Sequence, residues 1–326
     1  MSSNADAGGH SPSETDIPAG VSGPQLPHVG VVLVTHNRPE LMRRALDSIL
    51  TQDYPGPITV HVVHDRCALD FGLVRQDPFR EVRVQENSRT PGLAGARNTG
   101  IVSSVTQLVA FCDDDDSWLP GKLRLQTIAL LQVPGAAFAS TAMVVDYGAH
   151  TAVRLAGSKA IRHEDLLRSR MSMVHSSSFL ADREALIGIG MVDETIPNSM
   201  CEDWDLLLRA TRHGAIVNVD QPLIRVLWGG SSYFYQQWEV KNVAHQWMLD
   251  HHQDIRTNGV GAGRVYGQLA FGHAALGQRR AALRWAGRSI RANWREPRAV
   301  LALAVATGVV SDKRVLDALQ RRGHGI

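Results

Sequence analysis

Residues 28–50 read HVGVVLVTHNRPELMRRALDSIL, and this stretch decides the fold. Its first half is an almost unbroken apolar, largely β-branched run, the pattern of a strand buried on both faces in a parallel sheet. The period then changes. Met42, Ala45, Leu46, Ile49 and Leu50 fall on one side of a helix, Pro39 sits in its first turn and Glu40 lies three residues after Asn37, so Asn37 is expected to cap it. After the turn DYPGP (53–57) comes a second apolar run, ITVHVVHD (58–65), which completes a strand–helix–strand unit.

The pattern continues along the chain. A third strand is expected at EVRVQE (81–86), then a Gly-rich entry, RTPGLAGARNTG (89–100), into a helix, then the strand QLVAFC (107–112). Pro120 opens a helix through KLRLQTIALL, and AAFASTAMVVDYG (136–148) reads as a strand. From 173 to 226 the order is strand, short helix, loop, helix, strand. The fold class is therefore α/β with a mostly parallel central sheet.

Two acidic segments fall at strand ends: His64-Asp65, and the four consecutive aspartates Asp113 to Asp116. Open α/β sheets bind ligands in the crevice outside the carboxyl ends of their strands. Adjacent carboxylates repel by roughly 1 kcal/mol per close pair even in water-like surroundings. Such a run is either a solvated acidic turn or a place where positive charge belongs. Further on, CEDWDLLLRATRHG (201–214) starts acidic and ends basic, an order that suits a helix dipole. By themselves Glu202, Asp203 and Asp205 read as acids of a helix start, and Trp204 as a core residue.

Several classes are set aside. The three cysteines, Cys67, Cys112 and Cys201, are too few and too scattered for a disulfide framework or a four-ligand zinc site. GLAGARNTG contains neither a P-loop nor a dinucleotide fingerprint. His61 and His64, three apart on a strand, face opposite sides and are poor partners for one metal. His251 and His252 receive no role, and His175 is only a candidate acceptor contact. No apolar stretch reaches the ~20 residues of a spanning helix. Residues 1–28 have the Ser/Gly/Pro/Asp content of a disordered tail rather than a signal peptide. A cytoplasmic protein is expected.

Taken together, VVLVTHNRPELMRRALDSIL, GLAGARNTGI, VAFCDDDDSWLPGKL, SSFLADREAL, MVDETIP and EDWDLLLRATRHG, in this order from about Val29 to Trp228, resemble the family-2 glycosyltransferases of the GT-A fold. The resemblance implies an inverting, metal-dependent transfer of a sugar from a nucleoside-diphosphate donor, UDP- or dTDP-linked, to an acceptor hydroxyl on a carbohydrate, a lipid-linked molecule or a small molecule. It overlays the family's Asp-x-Asp on Asp113 and Asp115. Asp115, with Asp113, would ligate Mg²⁺ or Mn²⁺, hard cations suited to a few carboxylates plus phosphate oxygens. Asp113 or Asp114 would contact the ribose. Val34, Asn37, Asp65, Arg97 and Asn98 would line the nucleotide-sugar site, although HDRC stands where the family has a paired-acid motif. Arg97 either approaches the diphosphate or braces Asp65 or a loop acid. Asp203 matches the family's general base, with Glu202 as its competitor. The alternatives are a nucleotidyltransferase, for which THNRPEL lacks the basic Gly-rich signature, and a nucleotide-sugar-binding pseudoenzyme acting as a scaffold.

The formal net charge is only +2, but residues from 259 onward carry twelve Lys/Arg against three acids. An acidic body thus carries a basic end. The division expected is a tail (1–28), a GT-A domain (29–258) and a basic helical region (259–326). In the last, Leu283, Ala286 and Ile290 share one helical side, and Arg280, Arg284, Arg288 and Arg291 another. It reads first as a helical appendage with a solvated Arg face, next as a peripheral contact with the inner face of the membrane or a dock for an anionic acceptor. Nucleic acid is not expected as a partner.

Overall fold

The computed structural model describes residues 26–148, 150–227 and 237–320; most of the expected tail, and Trp228, lie outside these. The chain opens with β1 (Val29–Thr35), α1 (Pro39–Leu50) and β2 (Ile58–His64), followed by β3 (Arg80–Glu86), α2 (Leu93–Ser103) and β4 (Leu108–Asp113). β1 runs parallel to both β2 and β4, with Val34 opposite Val63 and Asp113. All seven of its residues are buried because each face meets its own core. Val32 and Val34 join Val109 and Phe111 on one side, whereas Val31 and Leu33 join Val60 and Ala110 on the other. α1 covers the second face through Met42, Leu46 and Ile49, and α2 the first through Ala94, Ala96 and Ile101. The Gly-rich run is the helix itself rather than its approach. A Cβ on Gly100 would lie 2.4 Å from Val32, so α2 rests directly on β1.

The expected cap of α1 is corrected. The helix starts one residue later, with Arg38 at the N-cap and no side-chain cap, and Asn37 takes a left-handed φ of 54° outside it. Pro39 at the first helical position has no N–H to satisfy and pushes the residue before it out of the helical region.

Next come β5 (Ser117–Trp118), α3 (Lys122–Leu131), β6 (Phe138–Asp146), β7 (Thr151–Arg154), β8 (Ala160–Ile161), α4 (His163–Arg168), β9 (Leu180–Asp182), α5 (Arg183–Gly188), α6 (Glu202–Thr211) and β10 (Ile216–Leu227). The sheet order is β3-β2-β1-β4-β9-β6-β10-β5, with β7 on β6 and β8 on β10. β3, β2, β1 and β4 are parallel, and antiparallel β9 ties β4 to β6.

From α7 (Trp238–His251) the described chain is helical: α8 (Asp254–Thr257), α9 (Gly259–Ala275), α10 (Arg279–Ala292), α11 (Pro297–Ala306) and α12 (Asp312–Gln320). This layer shares a core with the sheet, since Ala244, Met248, Val265 and Leu269 pack in the same cluster as Val32 and Phe111. A Cβ on Gly261 would lie 1.8 Å from the Leu167 carbonyl oxygen, so α9 touches the backbone of α4. The apolar side expected for α10 is corrected as well. Ala282, Ala286 and Ser289 are buried, while Leu283 and Ile290 are 50% and 41% exposed. Close helix packing selects the small residues, and the large ones are left outside among the arginines.

Candidate active site

Three parallel strands end side by side, and Thr35, Asp65 and Asp113, at or just beyond their ends, line one cleft of about 1330 Å³. Thr35 ends β1, and its carbonyl accepts from the Asp65 N–H at 3.0 Å just beyond β2. Asp113 ends β4. The following turn is closed by the Asp116 N–H donating to the Asp113 carbonyl at 3.1 Å.

That turn sorts the four aspartates into two pairs. Asp113 and Asp116, brought back together by the turn, stand beside His175, and one ligating atom from each lies within 4.8 Å of the others. Asp114 and Asp115 face β1 instead: Asp114 accepts from Thr35 Oγ1 at 2.9 Å, and Arg38 Nη1 reaches Asp114 at 3.3 Å and Asp115 at 2.7 Å. The run is not a solvated turn, for Asp114 and Asp116 are only 7% and 4% exposed. Burial, with the neighbouring Asp115 charge, pushes Asp114 up to about 6. Burial and the charges of Asp113 and Asp115 hold Asp116 well above the usual carboxylate range, although Ser177 Oγ donates to it at 2.5 Å. Asp113 is only partly buried, and Arg97 and His175 more than offset the desolvation and keep its pKa low.

The cluster therefore carries more negative charge than Arg38 and Arg97 compensate, which is the environment a divalent cation relieves. Two carboxylates and an imidazole form a donor set that Mn²⁺ accepts readily and Mg²⁺ less so. The residues fit such an ion. The Asp113–Asp115 pair implied by the resemblance shares Asp113 with this grouping, and Asp115, while pairing with Arg38, stays close enough for the charges of Asp113 and His175 to act on it.

Arg97 is buried, 2% exposed, and joins Asp113 at 2.5 Å to Glu202 in a shorter contact. It reaches neither the cleft nor Asp65. Asp65 instead accepts from Asn87 Nδ2 at 2.8 Å, the Gly92 N–H at 3.0 Å and Arg66 Nε at 3.0 Å. Burial opposes its ionisation, but these donors bring its pKa below the ordinary value. Asp65 and Val34 line the cleft; Asn37 does not. Asn98 is buried away from it, donating to the Val192 carbonyl and Glu194 and accepting from the Val192 N–H.

Glu202 and Asp203 begin α6 in the same cleft. Neither caps the helix; Cys201 holds the N-cap position in a left-handed conformation. Arg170 Nη2 donates to both Asp203 oxygens at 2.8 and 2.9 Å, and the Trp204 N–H donates to Oδ1 at 2.8 Å. Burial opposes ionisation of Asp203, yet Arg170 keeps it below the usual range. Oδ2 retains a free lone pair, because a carboxylate offers about four acceptor sites. Glu202 is raised, by burial first and then by Asp203, despite Arg97. Trp204 is core: its indole N–H donates to the Leu166 carbonyl at 3.0 Å. Asp205 pairs with Arg209 and with His252, which is buried just past the end of α7.

Sequence reasoning missed Arg38, Arg170 and the metal-side place of His175. Arg38 lies three residues past the end of β1, a position that invites attention. His175 lies about sixty residues from the acids it meets, and no spacing links them.

Residues 30–189 match the family described as Glycosyl transferase family 2. The chain is similar to the succinoglycan biosynthesis protein ExoO of Rhizobium meliloti, 34% identical over 31% of this chain and 29% of that protein. It is also similar to the UDP-Glc:alpha-D-GlcNAc-diphosphoundecaprenol beta-1,3-glucosyltransferase WfgD of Escherichia coli, 27% identical over 32% and 41%. These matches thus span less than half of either relative. A solved structure of S. aureus TarS 1–349 in complex with UDP-GlcNAc shares the fold, with a TM-score of 0.59 and 17% identity over 91% of this chain and 92% of that one.

Proposed function

We propose, from the match of residues 30–189 to glycosyl transferase family 2 and from the GT-A fold, that this chain moves a sugar from a nucleoside-diphosphate donor to an acceptor hydroxyl, with inversion. One observation carries the reading. The buried carboxylate cluster at the ends of β1, β2 and β4 shares a single cleft with Asp203. UDP-Glc in the name of WfgD and the UDP-GlcNAc bound in the TarS structure favour a UDP-linked sugar.

In this reading Asp113, Asp116 and His175 would hold the divalent ion, with Asp115 the ligand implied by the resemblance. When bound, the ion supplies charge neutralisation for the departing diphosphate. Val34 and Asp65 border the nucleotide, and Arg38 keeps Asp114 and Asp115 from turning on the phosphates. Asp203 takes the acceptor's hydroxyl proton on Oδ2 as the oxygen attacks the anomeric carbon. Arg170 orients that carboxylate and keeps it ionised until then. The nucleoside diphosphate leaves from the opposite face, and one displacement inverts the centre. We assign this work to residues 29–258, with 259–326 as an appended helical region. The side chains of Leu283, Ile290 and Trp294, at 50%, 41% and 72% exposure beside Arg280, Arg284 and Arg291, suit a peripheral contact with an anionic membrane face.

The test is a panel of nucleotide sugars scored for nucleoside diphosphate release with Mn²⁺, with Mg²⁺ and with EDTA. Release from one donor, dependent on a metal and lost in Asp116→Asn, is expected. Donor binding without release from any sugar, in the presence of acceptor extracts, would favour the scaffold reading. Loss in Asp115→Asn alone would return the ligand to Asp115.

A further inference from the structure

The cleft does not end at the carboxylates. It continues between α4, α7, α9 and α11, where Arg168, Lys241, Arg264 and Arg298 line its walls with Trp238 and His245. The charge changes sign along it, acidic at the strand ends and cationic in this arm.

Among the described residues the cations of the arm outnumber their one acidic partner, Glu296. Lys241 is half-buried; its ammonium lies 4.6 Å from the centre of the Trp238 ring, and burial and then the Arg170 charge lower its pKa. Arg264 donates to the Ser169 hydroxyl, a neutral group, and its Nε has no partner among the described residues. Glu296, the acid acting on Arg264, is already held by Arg298 at 2.7 Å, and Arg298 Nε is also unpartnered. A further buried group bordering the arm, the Trp238 indole N–H, has no hydrogen-bond partner among the described residues either. Burial and the charges of Arg170, Lys241 and Arg298 depress His245 to about 3, so these cations converge on one place. Half-buried cations and orphaned donors are costly unless an anion meets them.

We infer that this arm binds a phosphate ester carried by the acceptor, with Lys241 and Arg264 as its main contacts, so that the acceptor's hydroxyl is presented to the cleft from the cationic end. The inference rests on the transferase reading of the same cleft and adds the chemical class of the acceptor. Arg and Lys are the residues that recognise phosphate oxygens, and aliphatic and aromatic walls from Val265, Leu316 and Trp238 suit the organic part of an ester.

The probe is phenyl phosphate, titrated calorimetrically into the full chain in EDTA, where the metal-free carboxylates repel phosphate and only the arm attracts it. Binding is expected, weakened by salt, and weaker by about tenfold or more in Lys241→Met/Arg264→Met, with Lys241→Arg close to wild type. Thermal melts check that the double variant folds; if it does not, Lys241→Gln alone is read. The site assignment falls if benzyl alcohol binds as well as phenyl phosphate, or if the variants bind like wild type. Inorganic phosphate binding as tightly as phenyl phosphate overturns the ester assignment. Donor turnover is read separately on the wild type. Phosphate binding lost in the variants without any donor turnover would leave an anion site and remove the transferase reading, whereas turnover without phosphate binding would remove the arm alone.

Discussion

Asp203 and Glu202 are neighbours in sequence, yet each meets a different guanidinium, Arg170 for the first and Arg97 for the second. Only Asp203 combines a depressed pKa with a free lone pair in the cleft. Asp203→Asn is therefore expected to bind donor but transfer sugar slower by a factor on the order of 10² to 10⁴. Glu202→Gln, which disturbs the Arg97 brace, should show its main effect in thermal stability. The reverse pattern in transfer assays assigns the base to Glu202, and a product that keeps the donor's anomeric configuration removes the single displacement. A second residue, Lys122, has a pH signature. Its side chain is fully buried, its ammonium lies 3.8 Å from the centre of the Trp118 ring with no hydrogen bond, and burial lowers it to about 7. Between pH 7 and about 10.5 the unfolded chain holds this proton and the folded one releases it, so stability rises with pH across that window. Lys122→Met should lose that rise in thermal melts; an unchanged slope would mean that Lys122 stays charged when folded.

Among the elements, close approach decides more than hydrophobic pattern. α2 lies on β1 because Gly100 leaves room for Val32, and α9 lies on α4 because Gly261 leaves room for the Leu167 carbonyl. Gly261→Ala should cost about 1–3 kcal/mol in denaturant unfolding, since backbone, not a flexible side chain, fills the space a methyl would need. Gly287, on the exposed side of α10 with nothing within 4 Å, is the contrast. Gly287→Ala should stabilise by about 0.5–1 kcal/mol through helix propensity. Equal effects at both positions would contradict the packing argument. The strands and helices of the first half were legible because their apolar periods are long. β7 and β8, of four and two residues, were not, because such short strands carry too little pattern. The burial side of α10 was misread because a period shows which residues share a face, not which face a neighbouring helix selects.

At the scale of the molecule, the uneven charge has two outlets. The cationic arm faces the cleft, and Arg280, Arg284 and Arg291 face outward beside Leu283, Ile290 and Trp294. If the outer face meets a membrane, the intact chain should sediment with phosphatidylserine-rich vesicles but not neutral ones, and salt should release it. Changing the three outer arginines to Gln should abolish this without altering donor hydrolysis. Equal binding to neutral vesicles, or none to either, would make that face merely solvated.

The sequence by itself determined the strand–helix alternation, the two-sided burial of β1 and β2, the acidic strand ends, and hence where a ligand would sit. These are local properties: period, β-branching and the place where a parallel strand stops. Tertiary structure alone decided which carboxylates stand together. A four-residue turn brought Asp116 back beside Asp113, and a loop some sixty residues away brought His175 to them. It also decided that Arg97 is a buried brace and that Arg170, Lys241, Arg264 and Arg298, distant in the chain, converge on one cleft. Side-chain direction in a turn and contacts between distant segments depend on how elements pack, and no one-dimensional pattern encodes them.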